Sequence, residues 1–247
     1  TYEAFKKAYI FEDDFLSDKR LIFSESKSVN GYKSVSHSKK KTMKKAPSEN
    51  EILTKMNESN KIYDRHSLHF SVAAVFGCRP SEIQKGIKVV IDDHGRLCAF
   101  IKGSKLGLDQ GQEYRVCHSA LRPDNKADVL LYRMITRNGG ELFIKPTKAD
   151  YHSLRKYLNK NFKNSPSLYT YRHRVGSDLK TSGLDKTTIA QFLGHRTTKS
   201  QQSYGFSKSG NKRKLNANAS EEVKIKDDIK GYKARKSPPR IKRKLGF

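Results

Sequence analysis

Between about residues 87 and 118 the chain changes its hydrophobic period. The stretch "IKVVIDDHGRLCAFIKGSKLGLDQGQEYRVCH" alternates β-branched and aromatic residues around the turn signals "DDHG" and "GSKLGLDQGQ". Such alternation belongs to half-buried strands, so it reads as three short antiparallel strands at about 87–91, 96–101 and 113–118. The flanking sequence has helical spacing instead. "SENE" at Ser48–Glu51 fits a capping box and starts one helix. A second follows across about 61–77, with Leu68, Val72, Val75 and Phe76 on one face. Helices return at about 125–137 and 147–162, with a short extended piece "ELFI" between them. Leu168, Tyr171, Val175 and Leu179 mark the buried face of the next, which ends at Gly183. "LDKTTIAQFLG" gives one more, with Asp185 as N-cap and Gly194 as its stop. The expected fold class is mainly α with a small three-stranded antiparallel sheet (α+β).

The 247 residues suffice for one main core with extensions. A formal net charge of +26 attracts polyanions at long range, which makes nucleic acid the first partner to consider. A ribosomal-type or merely solvated basic protein has the same composition. Cys78, Cys98 and Cys117 are odd in number and form no C-x-x-C pair, so no disulfide framework or zinc ribbon is indicated and the compartment reads as reducing. No apolar run approaches the roughly 20 residues of a membrane span, and no signal-peptide core is present. The expectation is a soluble, cytoplasmic protein without a membrane partner. Starting at Thr1, the chain reads as a trimmed or mature fragment.

Residues 1–45 form an N-terminal segment, aromatic-rich over 1–23 and then a Ser/Lys/Gly/Asn-rich basic linker. The core is expected over 46–205. Beyond it, 206–247 is a basic tail, carrying fourteen Lys/Arg against four acids. Asn218 and Glu221 stand in capping-box spacing, which suggests a short helix over 219–231.

Four polar features punctuate the core: Arg79 with Glu82 in "FGCRPSEI", Lys105 in "GSKLG", Arg172 and His173 in "YTYRHRVGSDL", and His195 in "LGH", followed nine residues later by Tyr204. Singly, each has a plain explanation. Arg-x-x-Glu is usually a surface ion pair, a turn lysine a solvated charge, Gly-His a helix cap and a tyrosine a packing residue. Converging, they would make a site for one phosphodiester. Guanidiniums bind non-bridging oxygens bidentately, a histidine adds a hydrogen bond, and a turn lysine can protonate a leaving alkoxide. A phenol among cations can serve as the nucleophile. No metal is then required.

In order and spacing these segments resemble the catalytic domain of the tyrosine recombinase (phage integrase) family, whose motifs look like "TGLR-x-SE", a β-turn lysine, "H-x-x-R-H" and "LGH…Y". They stand here as "FGCRPSE", "KGSKLG", "YTYRH" and "LGHRTTKSQQSY", and the resemblance covers about residues 46–205. It implies the tyrosine recombinase catalytic-domain fold. It also implies activating roles for Arg79 and Arg172, with Lys105 as the hairpin lysine, His195 as the histidine of the third box and Tyr204 as the nucleophile. Glu82 would support Arg79, and His173 would position the site or accept a proton. One departure is Tyr169, where the family commonly has His or Lys. The rival for Lys105 is Lys102, at a strand end.

The implied activity is that of a site-specific DNA recombinase or integrase of a mobile genetic element. It would act through a 3′-phosphotyrosyl intermediate and a Holliday junction, with no cofactor or metal. The implied partners are double-stranded DNA, three further copies in a synaptic tetramer, and accessory DNA-bending or directionality proteins; localisation would be nucleoid-associated. The segment after the tyrosine would pack on a neighbouring subunit. Alternatives are a telomere resolvase, a type IB topoisomerase-like enzyme, or a non-catalytic DNA-binding relative. Arg115, Arg174, Arg196 and Lys199 are the candidate DNA-backbone contacts, with Arg115 equally open to being a solvated strand residue. His66 and His69 stand i, i+3 on a helix but lack a third metal ligand. The eight hydrophilic residues between His195 and Tyr204 read as an exposed crossing.

Overall fold

The computed structural model describes residues 43–106, 111–220 and 222–223. Helix α1 (Glu49–Met56) starts at the expected box: Ser48 Oγ accepts from the Glu51 amide at 3.2 Å, and the Glu51 carboxylate accepts from the Ser48 amide at 2.5 Å. Helix α2 (Asn60–Phe76) is the central strut. Val72, Val75 and Phe76 are fully buried on it, whereas Leu68 is only half-buried. It stops at Gly77, whose φ of +63° favours glycine. A Cβ there would also meet Val175 Cβ at 3.1 Å, so the helix stop coincides with a close approach of the chain carrying Arg172.

Short α3 (Pro80–Gln84) leads into β1 (Ile87–Ile91), β2 (Leu97–Lys102) and β3 (Tyr114–Ser119), all antiparallel. Then come α4 (Lys126–Arg137), β4 (Glu141–Ile144), α5 (Lys148–Asn161), α6 (Leu168–Thr181) and α7 (Lys186–Phe192). A 3-10 turn, Thr198–Ser203, precedes Tyr204, and Leu215–Ala219 forms β5. The described residues are mostly helical with one antiparallel sheet.

That sheet has five strands, in the order β4-β1-β2-β3-β5, and not the three expected. The three strands seen in the alternating segment form its middle. "ELFI" closes one edge, with Val89 opposite Leu142, and "LNANA" closes the other, with Val116 opposite Asn218. "LNANA" carries few strand-forming side chains; its pairing comes from the open edge of β3 and from Leu215 and Ala217 turning into the core. Asn218 therefore sits in a strand and does not cap a helix. The rest of the expected 219–231 helix lies outside the described residues, apart from Ala219, Ser220, Glu222 and Val223.

One sheet face carries Ile87, Val89, Leu97, Ala99 and Ile101, all fully buried. Helix α4 packs over β1 and β2, and α7 over β3 and β5. The three cysteines are free and buried, and burial pushes Cys98 to about 12 and Cys117 to about 11, so both are inert core thiols. Among the described residues no helix is long and apolar enough to cross a membrane.

Candidate active site

Arg79 is the N-cap of α3. Pro80 at the first helical position has no N–H to leave unpaired, and Glu82 reaches back across the turn. Its carboxylate accepts from the Arg79 amide at 2.8 Å and from Arg79 Nη1 at 2.5 Å. One acid thus fixes both the backbone and the side chain of this arginine. Burial pushes the Glu82 carboxyl up, but Arg115, Arg79 and Arg172 outweigh it and hold it well below the usual carboxylate range.

Arg172 projects from α6 into a fully buried place. Its Nη1 donates to Gly77 O at 2.5 Å and its Nη2 to Leu193 O. Those carbonyls end α2 and α7, where helix ends leave acceptors unpaired and carry partial negative charge. The guanidinium is located by two helix termini, and its Nη2 also lies 3.4 Å from His195 Nε2.

His195 follows Gly194, whose φ of +66° turns the chain off α7. The imidazole is buried, and burial, then Arg172 and Arg79, push it down to about 2. It is neutral at physiological pH, and with an arginine donor at Nε2 the proton belongs on Nδ1.

Tyr204 follows the Thr198–Ser203 turn. Its ring stacks on His195 at 5.2 Å between centroids and 29° between planes, tilts against His173 at 5.2 Å, and lies 4.7 Å from Arg172 Cζ. Burial raises its phenol, but the charge and hydrogen bonds of Arg172 and Arg79 prevail, and the net shift is downward. A lower pKa gives more phenolate, the nucleophilic form, at a given pH.

Arg79, Lys105, His195, Ser200, Ser203 and Tyr204, with Gly111, line one cavity of about 220 Å³. Lys105 is exposed on its rim, while Lys102 holds its ammonium over the Tyr114 ring, 5.9 Å from the centroid. Tyr169 is half-buried, its phenol raised by burial against the opposing charge of Arg79.

Among the other candidate residues, Arg115 differs from its expected placement. Arg115 cannot contact DNA: it is 1% exposed and its guanidinium forks onto Glu82. Arg174 is engaged with the chain entering α1, donating to Pro47 O, Ala46 O and Glu49 and lying over the Tyr171 ring. Arg196 is half-buried and Lys199 is exposed. The segment before Tyr204 is an exposed crossing only in part: Lys199, Ser200, Gln202 and Ser203 are exposed, whereas Thr197, Thr198 and Gln201 are buried. His66 Nε2 pairs with Ser153 Oγ at 3.0 Å, and His69 packs against Tyr151. No group of three or more His, Cys, Asp or Glu able to hold a metal exists among the described residues.

Two residues that hold the tyrosine in place escaped the sequence reading. Lys180 Nζ donates to Tyr204 O, to Gln201 O at 3.1 Å and to Gly205 O at 3.3 Å, tying the chain on both sides of Tyr204 to α6. Gly176 gives the tyrosine room: a Cβ there would lie 2.9 Å from Tyr204 Cβ. A glycine inside a helical pattern costs about 1 kcal/mol relative to alanine, and that was the available signal of a close approach.

Fold and site together define a mixed α+β protein in which Arg79, His195 and Tyr204 share one small cavity and the buried Arg172 lies against the Tyr204 ring. No family model matches the chain, and no curated protein matches it. A solved structure of the Tn1549 transposon integrase in complex with a circular intermediate DNA is similar at 15% identity and a TM-score of 0.38, over 83% of this chain and 71% of that chain. A likeness of that extent bears on neither the reaction nor its residues.

Proposed function

We propose that this protein is a tyrosine-type DNA strand-breaking and rejoining enzyme, acting as a site-specific recombinase of a mobile genetic element. The observation that carries the reading is the meeting of Tyr204 with Arg79, Arg172 and His195, from three other segments, beside a cavity rimmed by Lys105.

In this reading Arg79, which lines the cavity, binds the non-bridging oxygens of a scissile phosphate, and Arg172, buried behind it, offsets from there the charge that grows on them in the transition state. Tyr204 Oη attacks phosphorus, its proton passing to His173 or water. The new Oη–P bond forms as the P–O5′ bond breaks, and the departing O5′ takes a proton from Lys105. The products are a 3′-phosphotyrosyl link and a free 5′-hydroxyl. A 5′-hydroxyl from a second duplex reverses the step, restores the phenol and joins the strands through a Holliday junction. Two duplexes exchanged in this way call for a tetramer. The surplus of basic residues supplies sequence-independent phosphate contacts.

The test incubates the protein in EDTA with a pool of nicked duplexes tiling the DNA around its own gene, and resolves covalent complexes on a denaturing gel. Wild type should give an adduct and Tyr204→Phe none. No adduct from wild type across the pool, or an equal adduct from Tyr204→Phe, would sink the proposal. Recombinant joints distinguish a recombinase from the hairpin ends of a telomere resolvase and the relaxed circles of a type IB topoisomerase.

A further inference from the structure

We propose that Arg115 is a positioning residue of this site: its buried guanidinium places Arg79 through Glu82 and places His195 through the end of α7. The consequence for activity rests on the DNA-cleavage reading above; the geometric part does not.

Arg115 lies on β3, where Arg115, Cys117 and Ser119 face inward and are buried. A cation in that apolar layer is costly unless it is both paired and hydrogen-bonded. Here it is both. Nη1 and Nη2 donate to the two Glu82 oxygens at 3.1 and 2.8 Å, and Nε donates to Phe192 O at 3.0 Å.

Glu82 consequently accepts four hydrogen bonds, two from Arg115 and two from Arg79. A carboxylate offers about four acceptor sites, so it has none left and no freedom to turn. Arg79 is fixed as firmly as Glu82 is, and Glu82 is fixed by Arg115.

The third bond works on the other motif. Phe192 closes α7, two residues before Gly194 turns the chain to His195. A Cβ on Gly194 would lie 2.6 Å from Arg115 Nη1, so the chain delivering His195 passes directly over the guanidinium. A planar fork with a third donor along its edge holds both carboxylate oxygens and a carbonyl at once; a lysine ammonium, whose three donors share one nitrogen, cannot reproduce that geometry. Arg115 also adds a third buried cation beside Arg79 and Arg172 against one carboxylate, leaving the site in positive excess for an anionic ligand.

Arg115→Lys tests this, because it keeps a buried cation for Glu82 but loses the fork and the bond to Phe192. Three measurements are made. Circular dichroism certifies the fold. NMR of 13Cζ-labelled tyrosine follows the Tyr204 phenol, assigned by its absence in Tyr204→Phe. Single-turnover adduct formation on the nicked duplexes reads the reaction.

The folded variant should titrate Tyr204 closer to free tyrosine, since Arg79 is no longer held against the phenol. Its adduct rate should fall about 100-fold while duplex affinity stays within about threefold, the split expected of misplaced rather than missing contacts. A folded variant whose Tyr204 titration and adduct rate match wild type overturns the proposal and leaves Arg115 a core ion-pair partner. Should Arg115→Lys not fold, Arg115→Gln keeps one donor for Glu82 without the fork and leaves Glu82 itself in place; the same titration shift in that folded variant supports the proposal and a wild-type titration overturns it. If wild type forms no adduct yet Tyr204 still shifts in the variant, the cleavage reading falls and the positioning role stands.

Discussion

Arg79 and Lys105 line the same cavity, yet Arg79 is 5% exposed and bound through two of its nitrogens to a buried carboxylate, whereas Lys105 stands exposed on the turn after β2. Arg172, behind the cavity, is fully buried and fastened to two helix ends. The difference fits what each group would do in the proposed reaction. A charge that stabilises a transition state is most effective when it is already oriented in a site that excludes water. A group that donates a proton must be reloaded from solvent, and exposure lets that happen.

Tyr204→Phe should break the comparison most completely: adduct formation vanishes while duplex binding changes by about twofold or less, measured by denaturing gel and by titration at fixed salt. Next, Arg172→Ala should slow cleavage by about 10³-fold. It should also destabilise the fold by about 2–4 kcal/mol in a urea melt, because Gly77 O and Leu193 O lose their donor.

Lys105→Ala should behave oppositely in stability, with a melt unchanged within about 0.5 kcal/mol and cleavage slowed by about 100-fold. A 5′-bridging phosphorothiolate should restore most of that rate, since a thiolate leaves without a proton. Lys102→Ala should show neither effect.

The buried side also carries a pH signature. His195 is held neutral, so the unfolded chain takes up a proton below about pH 6.5 that the folded protein refuses until about pH 2. Stability is complete above the unfolded value and falls through that window by about 1.4 kcal/mol per pH unit for this proton. Melts at pH 7 and 5 should display the slope, and His195→Gln should remove one proton's share of it. His69, pushed to about 4 chiefly by burial, contributes a second proton over a narrower window. The smallest effect belongs to exposed Lys199: Lys199→Ala should lower the salt slope of duplex binding by about one and leave the melt alone.

Much of the local structure was legible because its causes are local. Ser48 and Glu51 announced α1, Asp185 and Gly194 bounded α7, and the alternation around "DDHG" and "GSKLG" marked the three middle strands. The edge strand β5 was missed although "LNANA" alternates apolar and polar residues, because Ala and Asn are weak strand formers and the pairing comes from the edge of β3. Arg115 failed as an expectation for a related reason. An arginine on a strand reads as solvated until a buried carboxylate from another segment is found beneath it.

The sequence by itself determined where most of the helices begin and stop, and the identity and order of the arginines, lysine, histidine and tyrosine proposed for the reaction, since capping, periodicity and side-chain type act over a few residues. The tertiary structure decided everything that depends on who meets whom. It turned Arg115 inward onto Glu82, put Arg172 between two helix ends, seated Tyr204 over Gly176 beside His195, and extended the sheet from three strands to five. Each of those outcomes joins residues far apart in the chain, where the partner's identity and the exclusion of water fix the energy, and neither is written in the local sequence.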